Sequence, residues 1–566
     1  MIIITPITTF DGSTKWELFD GVDGNTVSPE LFPMVFKSKM GHIKKNESIF
    51  ISGLTTFRDD FILLIKSLGY DYTDENKKLC EMSNCETKYL IGGENGTVFN
   101  IVIKQGSSKI EILDADNFFP DRENVMKTWG RHDAQRVARA YFRAFMNLFE
   151  IIGTPKYTPL TISGASRNYL KRHNPLELID ANKTEVAPGI TLEGFCRPSY
   201  HGGLCAHKET NFLYSSGIVL DINSLYPYVM RYYPMPYGAP EYHKGAPTKQ
   251  IINDTNKGLL YFFIHIRASF KLKPGHVPCV RASEVEYLTH NEGWLESSDW
   301  VDWETGEIKH RRKNGDLVTC ELTLTCTDFV NFIKSYDIEK IDYIDYITMT
   351  TNNYIFKETI DSLYQIKENS DGGRRKMAKI LMNAISGNMA RKPDYTNFKF
   401  SIKDGKINYT ATKYAGETAS YVYIGAAITS YARQILINLI ARNYDRWIYS
   451  DTDSLHLLGD SIPDGVNISD KLGDFKIEHR FDNACYYKHK MYGFYKSGEG
   501  FIFKLAGVPK NDIKDFCKVL NISDLSAQYL IDAKNVQIPV NFKKGINFHF
   551  IYEEGLMVIA EIKDLV

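Results

Sequence analysis

Net charge is almost absent from this 566-residue chain: 68 lysines and arginines face 69 acidic residues, giving −1 at pH 7. That excludes a coat of positive charge binding nucleic acid over the whole surface, because such domains are far more basic. It does not exclude a local basic groove, since net charge says nothing about distribution. A disulfide framework is missing too. The nine cysteines are an odd number at irregular spacing, which reads as reduced thiols in an intracellular setting. Cys80 with Cys85, and Cys196 with Cys205 and His207, lack the paired CxxC spacing of a zinc site. No secretory leader is legible, because MIIITPITTF has no basic flank and only three consecutive isoleucines. No apolar run reads as a membrane span. The most apolar, 421–441, is broken by Arg433, Gln434 and Asn438, while Ile424, Ile428, Tyr431, Ile435 and Leu439 recur at helical spacing. That pattern predicts an amphipathic core helix in a soluble protein without a membrane partner. Internal repeats and low-complexity tracts are also absent.

What is present is length and apolar content. A chain of 566 residues, 43% of them hydrophobic, is too long for one core and divides into several domains. The first 187 residues or so mix strand-like runs (2–5, 48–52, 98–103) with helical segments such as 133–148, the alternation of an α/β or α+β domain. A glycine pair in Tyr200-His-Gly-Gly-Leu204 precedes a buried strand, GIVLDI, at 217–222. Residues 234–356 are irregular, strand-rich and dotted with proline and glycine, like an insertion. A helical block follows at 374–390, then a strand-like stretch to about residue 415. The last 25 residues or so alternate apolar and polar with Lys-Gly and Glu-Gly turn signals, which predicts a closing β-hairpin.

Two acids stand out in Tyr449-Ser-Asp-Thr-Asp-Ser-Leu-His-Leu457. On a regular strand, residues i and i+2 face the same way, so Asp451 and Asp453 can share a side. Two carboxylates about 4 Å apart repel by roughly 4 kcal/mol at an effective dielectric of about 20. If buried, they need a positive partner, and a divalent metal is the usual one. The plain alternative is an exposed Asx turn; a calcium loop of the EF-hand kind lacks its third acid and its glycine. A further acid, Asp221, ends the apolar strand in SGIVLDINSLYP, where a buried strand meets a turn. Two ions bridged by acids on adjacent strands form the clamp used for in-line phosphoryl transfer. In RRKMAKILMNAISGNMA, Met377, Leu381 and Ile385 would face a core, with Arg375, Lys379 and Asn383 on the opposite side. Alone, such a cationic face is ordinarily just solvated; beside a two-metal site it suits a triphosphate.

Asp221-Ile-Asn-Ser-Leu-Tyr-Pro227, Lys379-Ile-Leu-Met-Asn383-Ala-Ile-Ser-Gly387 and Tyr449-Ser-Asp-Thr-Asp-Ser454 resemble, in order and spacing, motifs A, B and C of the family B DNA polymerases. Tyr200-His-Gly-Gly203 is similar to that family's YxGG segment, Lys490-Met-Tyr492 to its KxY motif, and Lys504-Leu-Ala-Gly507 to its segment before the thumb. With the chain length, these resemble the protein-primed branch of small phages and linear plasmids. The resemblance implies an α+β multidomain, right-hand architecture of palm, fingers and thumb, with an N-terminal ribonuclease-H-like exonuclease-fold domain and two insertions. The expected layout is an exonuclease-like domain at 1–187, palm at 188–233, first insertion at 234–354, fingers at 355–390, second insertion at 391–416, palm again at 417–507 and thumb at 508–566. The first insertion is the terminal-protein region; the second serves strand displacement and processivity.

The same resemblance implies roles. Asp221 and Asp453, helped by the carbonyl of Ile222, hold two Mg2+ ions, for which Mn2+ can substitute. Asp451 is a neighbouring catalytic acid whose role as ligand varies. Tyr226 packs under the sugar and excludes a 2′-hydroxyl; Lys367, Arg375 and Lys379 neutralise the triphosphate; Asn383 lines the nucleotide pocket. Lys490 and Tyr492 hold the primer strand, and Tyr200, Gly202 and Gly203 contact DNA. The implied partners are template-primer DNA, dNTPs and a terminal protein as primer, for a monomer working in the host cytoplasm on a small linear genome.

The chain also departs from the family. The exonuclease site needs a DxE on its first strand, where Thr5 and Ile7 stand. Arg58 falls at or beside the second acid, with Asp59 and Asp60 blurring the alignment. Only Asp133 of the third motif is kept, with Trp129 in place of a tyrosine. One carboxylate cannot hold two magnesium ions against their hydration, so the domain is expected to be folded and inactive. Ser386 replaces the motif B tyrosine, removing a stacking surface worth about 1–3 kcal/mol per base; an error-prone enzyme is expected. Two other functions stay open: a non-catalytic polymerase-derived DNA-binding or assembly factor, and RNA synthesis, which Tyr226 opposes.

Overall fold

The computed structural model describes residues 161–174, 177–209, 212–280, 315–391 and 419–504, together with the backbone of the further strands and helices named below and some side chains between 118 and 153. The chain divides into two compact units. One comprises Met1–Pro175 and Glu358–Ile385, the other Leu176–Lys357 and Ser386–Val566.

The first unit holds a seven-stranded sheet in the order Thr14–Phe19, Ile3–Thr8, Ser48–Gly53, Ser108–Asp114, Thr97–Gln105, Thr87–Glu94, Cys80–Ser83. The pair Ser48–Gly53 and Ser108–Asp114 is parallel; the other pairs are antiparallel. Thr5 and Ile7 sit on the strand Ile3–Thr8, in register with Glu17 and Lys15 of the hairpin partner. Arg58, Trp129 and Asp133 lie outside the described residues. Helix Ile162–His173 starts at Thr161, whose hydroxyl accepts the Gly164 N–H at 3.0 Å, and ends in Lys171, Arg172 and His173, charges that suit the negative end of the helix. Tyr169 joins this helix to Lys357–Glu368 through a 2.8 Å hydroxyl pair with Ser362. Helix Gly372–Met389 is tied by Arg374 to Glu150 at 2.7 Å and by Lys376 to the Thr128 hydroxyl at 2.7 Å.

The second unit is built on a five-stranded antiparallel sheet in the order Cys205–His207, Trp447–Asp451, Ser454–Leu458, Gly217–Ile222, Phe475–Phe481. The reason is visible in GIVLDI, a strand buried everywhere except at Asp221, as expected of a central position. Trp447, Ile448, Tyr449 and Ser450 are buried likewise, with the indole N–H donating to the Ser450 hydroxyl at 3.0 Å. A four-stranded sheet (Leu213–Tyr214, Asn483–Lys488, Met491–Lys496, Gly500–Leu505) continues the core. The irregular stretch read as an insertion is a second four-stranded sheet, ordered Met235–Lys244, Tyr336–Asn352, Leu260–Leu272, Cys320–Thr325. Strands Tyr395–Lys403 and Lys406–Tyr414 form an antiparallel pair. The expected closing hairpin carries a third strand: Ile538–Phe542, Ile546–Glu553 and Leu556–Asp564 pair in sequence.

The apolar helix needs a correction. Val422–Arg442 is buried on every side from Val422 to Ser430, and its later buried positions are Ala432, Arg433, Leu436, Ile437 and Ile440. Tyr431, Ile435 and Leu439, expected to face inward, are only half-buried. A single apolar stripe marks a helix at a surface; this one is a central strut whose small residues admit neighbours on all sides. At Gly425 a methyl group would meet Ala390 at 2.8 Å. It is the one helix among the described residues long and apolar enough to cross a membrane, and it is mostly buried inside the protein.

Gly217 opens the central strand where a methyl group would lie 2.4 Å from both the Leu457 carbonyl and the Phe481 ring. Backbone cannot yield as a side-chain tip can. Gly217→Ala is expected to destabilise the protein by about 1–3 kcal/mol; a denaturant midpoint equal to the parent's would contradict this packing.

Candidate active site

The strand Gly217–Ile222 and the hairpin Trp447–Leu458 end at the same edge of the five-stranded sheet, and the acids gather there. Asp221 lies opposite Ser454 across one strand pair and opposite Lys476 across the other. Asp451 also lies opposite Ser454, at the mouth of the hairpin. The Ile222 N–H donates to the Asp453 carbonyl at 2.8 Å, which pins the end of one strand to the turn of the other. Residues distant in sequence are thus set side by side by backbone hydrogen bonds.

Asp451 and Asp453 do not share a face by strand alternation, as a regular strand would require. Asp451 is the last strand residue, while Thr452 and Asp453 form the turn. The Asp453 N–H donates to the Asp451 carbonyl at 2.7 Å, around Thr452 at φ +61°. A β-branched residue in the left-handed region is strained, and the neighbourhood shows what enforces it. The Thr452 N–H donates to the Leu204 carbonyl at 2.7 Å, its hydroxyl donates to the Asp451 carboxylate at 3.0 Å, and a methyl on Gly203 would lie 2.8 Å from the Thr452 Cα. Among the described residues, the non-glycine positions with positive φ are Ser224, Thr452 and Lys490, all bordering these acids. Strain of this kind clusters at functional sites.

The three carboxylates have two cationic neighbours. The Lys476 ammonium sits 2.9 Å from Asp221, and the Lys490 ammonium 2.9 Å from Asp451. Three carboxylates gathered in one place repel one another. Asp453 bears the consequence: burial first, then repulsion by Asp221 and Asp451, raise its carboxyl to about 7 despite Lys476. A site that makes one of its own acids reluctant to ionise is a site that favours a cation.

Tyr226 stands in helix Leu225–Tyr232, directly after the Asp221 strand. Burial pushes its phenol up to about 12, with Arg433 opposing and Tyr200, Asp453 and Asp451 adding to the shift. Tyr200 is half-buried beside Arg197, whose guanidinium lies 5.9 Å from the ring centre. Tyr492 packs against Tyr449 and His456. The Lys490 N–H donates to the Tyr449 hydroxyl at 2.9 Å. Gly202 faces open space, whereas Gly203 is filled by the Thr452 turn rather than left clear for a ligand.

The other predicted residues belong to the first unit. On Gly372–Met389, Met377, Leu381 and Ile385 are buried while Lys379 and Asn383 are exposed, as the spacing predicts. Arg375 donates to the Lys367 carbonyl at 3.0 Å, closing the end of helix Lys357–Glu368. Lys367 is buried, its ammonium 4.9 Å from the centre of the Tyr364 ring.

Residues 16–471 match the family described as DNA polymerase type B, organellar and viral. The chain belongs to that family. It is 31% identical to the DNA polymerase of Bacillus phage phi29 over 346 residues, 59% of this chain and 56% of the relative. With the DNA polymerase of Bacillus phage Nf it shares 30% over 319 residues, 55% and 51% of the two chains. The chain thus spans about half the length of these curated relatives. A solved structure, phi29 DNA polymerase complexed with primer-template DNA and incoming nucleotide substrates, superposes with a TM-score of 0.59 at 20% identity, covering 86% of this chain and 88% of the other. At that identity the likeness is one of fold, mixed α and β.

For a member of the type B polymerase family, a divalent metal at the acids is the expectation to test on the residues present. Carboxylate and carbonyl oxygens are the donors that hard cations take, and the Asp453 carboxyl, raised first by burial and then by Asp221 and Asp451, is one that a nearby cation would help to ionise. Among the described residues no three His, Cys, Asp or Glu side chains already converge as a metal cluster. Lys476 and Lys490 hold two of the acids instead. The donor set fits, on condition that an ammonium moves aside.

Lys476 escaped the sequence reading. Lys476 carries no local signal, since only strand register puts it against Asp221. The sign of its effect can be measured. Removing an ammonium that competes for Asp221 should tighten Mn2+ binding several-fold in Lys476→Gln, measured by electron paramagnetic resonance. Weaker binding would mean that the lysine organises the acids rather than competing for them.

Proposed function

We propose that this chain is a DNA-directed DNA polymerase, joining a deoxynucleotide to the 3′ end of a primer under template direction. The observation that carries the reading is the junction of Asp221 and Asp453 at one sheet edge, with the Ile222 N–H on the Asp453 carbonyl at 2.8 Å. Family membership and the fold of a relative solved with primer-template DNA and nucleotide support it. In this reading the five-stranded sheet is the palm, helix Gly372–Met389 belongs to the fingers and the C-terminal strands to the thumb. Residues 1–187 are the exonuclease-like domain, and 234–354 and 391–416 the two insertions.

Asp221, Asp453 and the Ile222 carbonyl would hold two Mg2+ ions, or Mn2+ in their place, which lower the pKa of the attacking hydroxyl and offset charge on the departing pyrophosphate. The chain's own residues bind and orient. Lys379 and Arg375, with Lys367, counter the triphosphate, and Asn383 borders the nucleotide. Tyr226, anchored on a helix that starts two residues after Asn223, closes the space a 2′-hydroxyl would need. Lys490, released from Asp451, and Tyr492 grip the primer strand; Tyr200, Gly202 and the backbone of Gly203 contact the DNA. A terminal protein as primer and displacement of the downstream strand complete the proposal, for a monomer copying a small linear genome in the host cytoplasm. Editing is lost, because Thr5, Ile7 and Arg58 replace carboxylates and leave Asp133 alone.

Asp453→Asn is expected to lower template-directed incorporation about a thousandfold, ~4 kcal/mol of barrier, while DNA binding survives, in primer extension with gel-shift controls. Extension at the parent rate would end the reading, and a wild-type protein that binds DNA without extending it would favour the non-catalytic DNA-binding alternative. Editing is tested separately with a mismatched, labelled 3′ end and Mg2+ but no dNTPs. The end should persist; rapid trimming would show that the N-terminal site is alive.

A further inference from the structure

We infer that Arg433 is a positioning residue for this reaction, acting through the glycine loop to hold the Thr452 turn and its two flanking acids in place. The inference rests on the reading above. Arg433 is 4% exposed inside the core helix and uses its whole guanidinium. Nε and Nη2 donate to the two carboxylate oxygens of Asp328, the first at 3.1 Å, and Nη1 donates to the carbonyls of His201 at 2.8 Å and Gly202 at 2.6 Å. Asp328 is itself fixed in the first turn of helix Cys326–Ser335, where its N–H donates to the Thr325 hydroxyl at 3.0 Å. The counter-charge is therefore buried, paired and immobile.

The two carbonyls belong to the residues just before Gly203, the point of closest approach to Thr452. The carbonyl of Leu204, just after that glycine, accepts the Thr452 N–H at 2.7 Å, and Asp451 is in strand register with Cys205. One guanidinium thus fixes the two carbonyls before the glycine, and the glycine and its successor fix the left-handed residue between the acids. A planar fork can serve a carboxylate and two carbonyls at once, which an ammonium cannot. If Arg433 acted on stability alone, a folded variant would keep its acids arranged. If it acts as proposed, the acids lose their arrangement even when the fold survives.

The test uses the full chain, with Mn2+ as probe in paramagnetic resonance and with steady-state primer extension, below the melting temperature of each variant. Arg433→Lys, which keeps the charge, is expected to weaken Mn2+ binding at least fivefold and lower kcat at least tenfold, with KM for dNTP within threefold. Gly203→Ala leaves the Asp328 pair intact and should produce the same pattern. Should Arg433→Lys fail to fold, Gly203→Ala carries the expectation by itself. The double variant should be no worse than the poorer single one, because both act on one element. Parent-like Mn2+ affinity in folded Arg433→Lys, or in Gly203→Ala, overturns the inference. A wild-type protein that binds Mn2+ yet incorporates no nucleotide overturns the polymerase reading and leaves the Mn2+ comparison standing.

Discussion

The repulsion among Asp221, Asp451 and Asp453 is the constraint around which the second unit is organised. Like charges at one buried edge do not collect unless stronger forces put them there. Here those forces are the antiparallel register of the central strands, the Ile222 to Asp453 backbone bond and the strained Thr452 turn. The sheet supplies rigidity and the cluster stores the cost. Lys476 and Lys490 remove part of it, while burial first, and then the remaining repulsion, raise the Asp453 carboxyl.

Much of this was legible in the sequence because strands of a central sheet are read easily. GIVLDI and WIYSD are largely apolar runs with acids at their ends, and the fold sets them on either side of the strand Ser454–Leu458. The helix Gly372–Met389 was equally plain, since its two faces differ in kind at a fixed period. The signals failed where contacts are made across the chain. Lys476 reaches Asp221 only through register, and the close approach of Gly203 to Thr452 joins segments far apart in the chain. Arg433 was visible only as a charge interrupting an apolar run. That interruption argued correctly against a membrane span but did not announce a buried ion pair.

The helix Val422–Arg442 illustrates a limit of periodicity. A repeating stripe distinguishes inside from outside only when there is an outside. Surrounded on all sides near its start, this helix has none, and its small residues Gly425, Ala426 and Ala427 report close packing rather than a face. The hairpin turn shows the matching limit for strands, because alternation ceases at the residue where the chain reverses. At Thr452 the local rule breaks, and the site lies where it breaks.

Beneath the hairpin lies a layer of aromatic rings, Tyr449, Tyr486, Tyr492 and Phe494, with His456 among them. His456 bridges the hydroxyls of Ser454 at 3.2 Å and Tyr486 at 2.8 Å, and burial holds its imidazole down to about 3. The ring thus stays neutral where a solvent-facing histidine would gain a proton. Mild acidification of the surroundings therefore adds no charge at this ring, directly behind the turn that carries the acids.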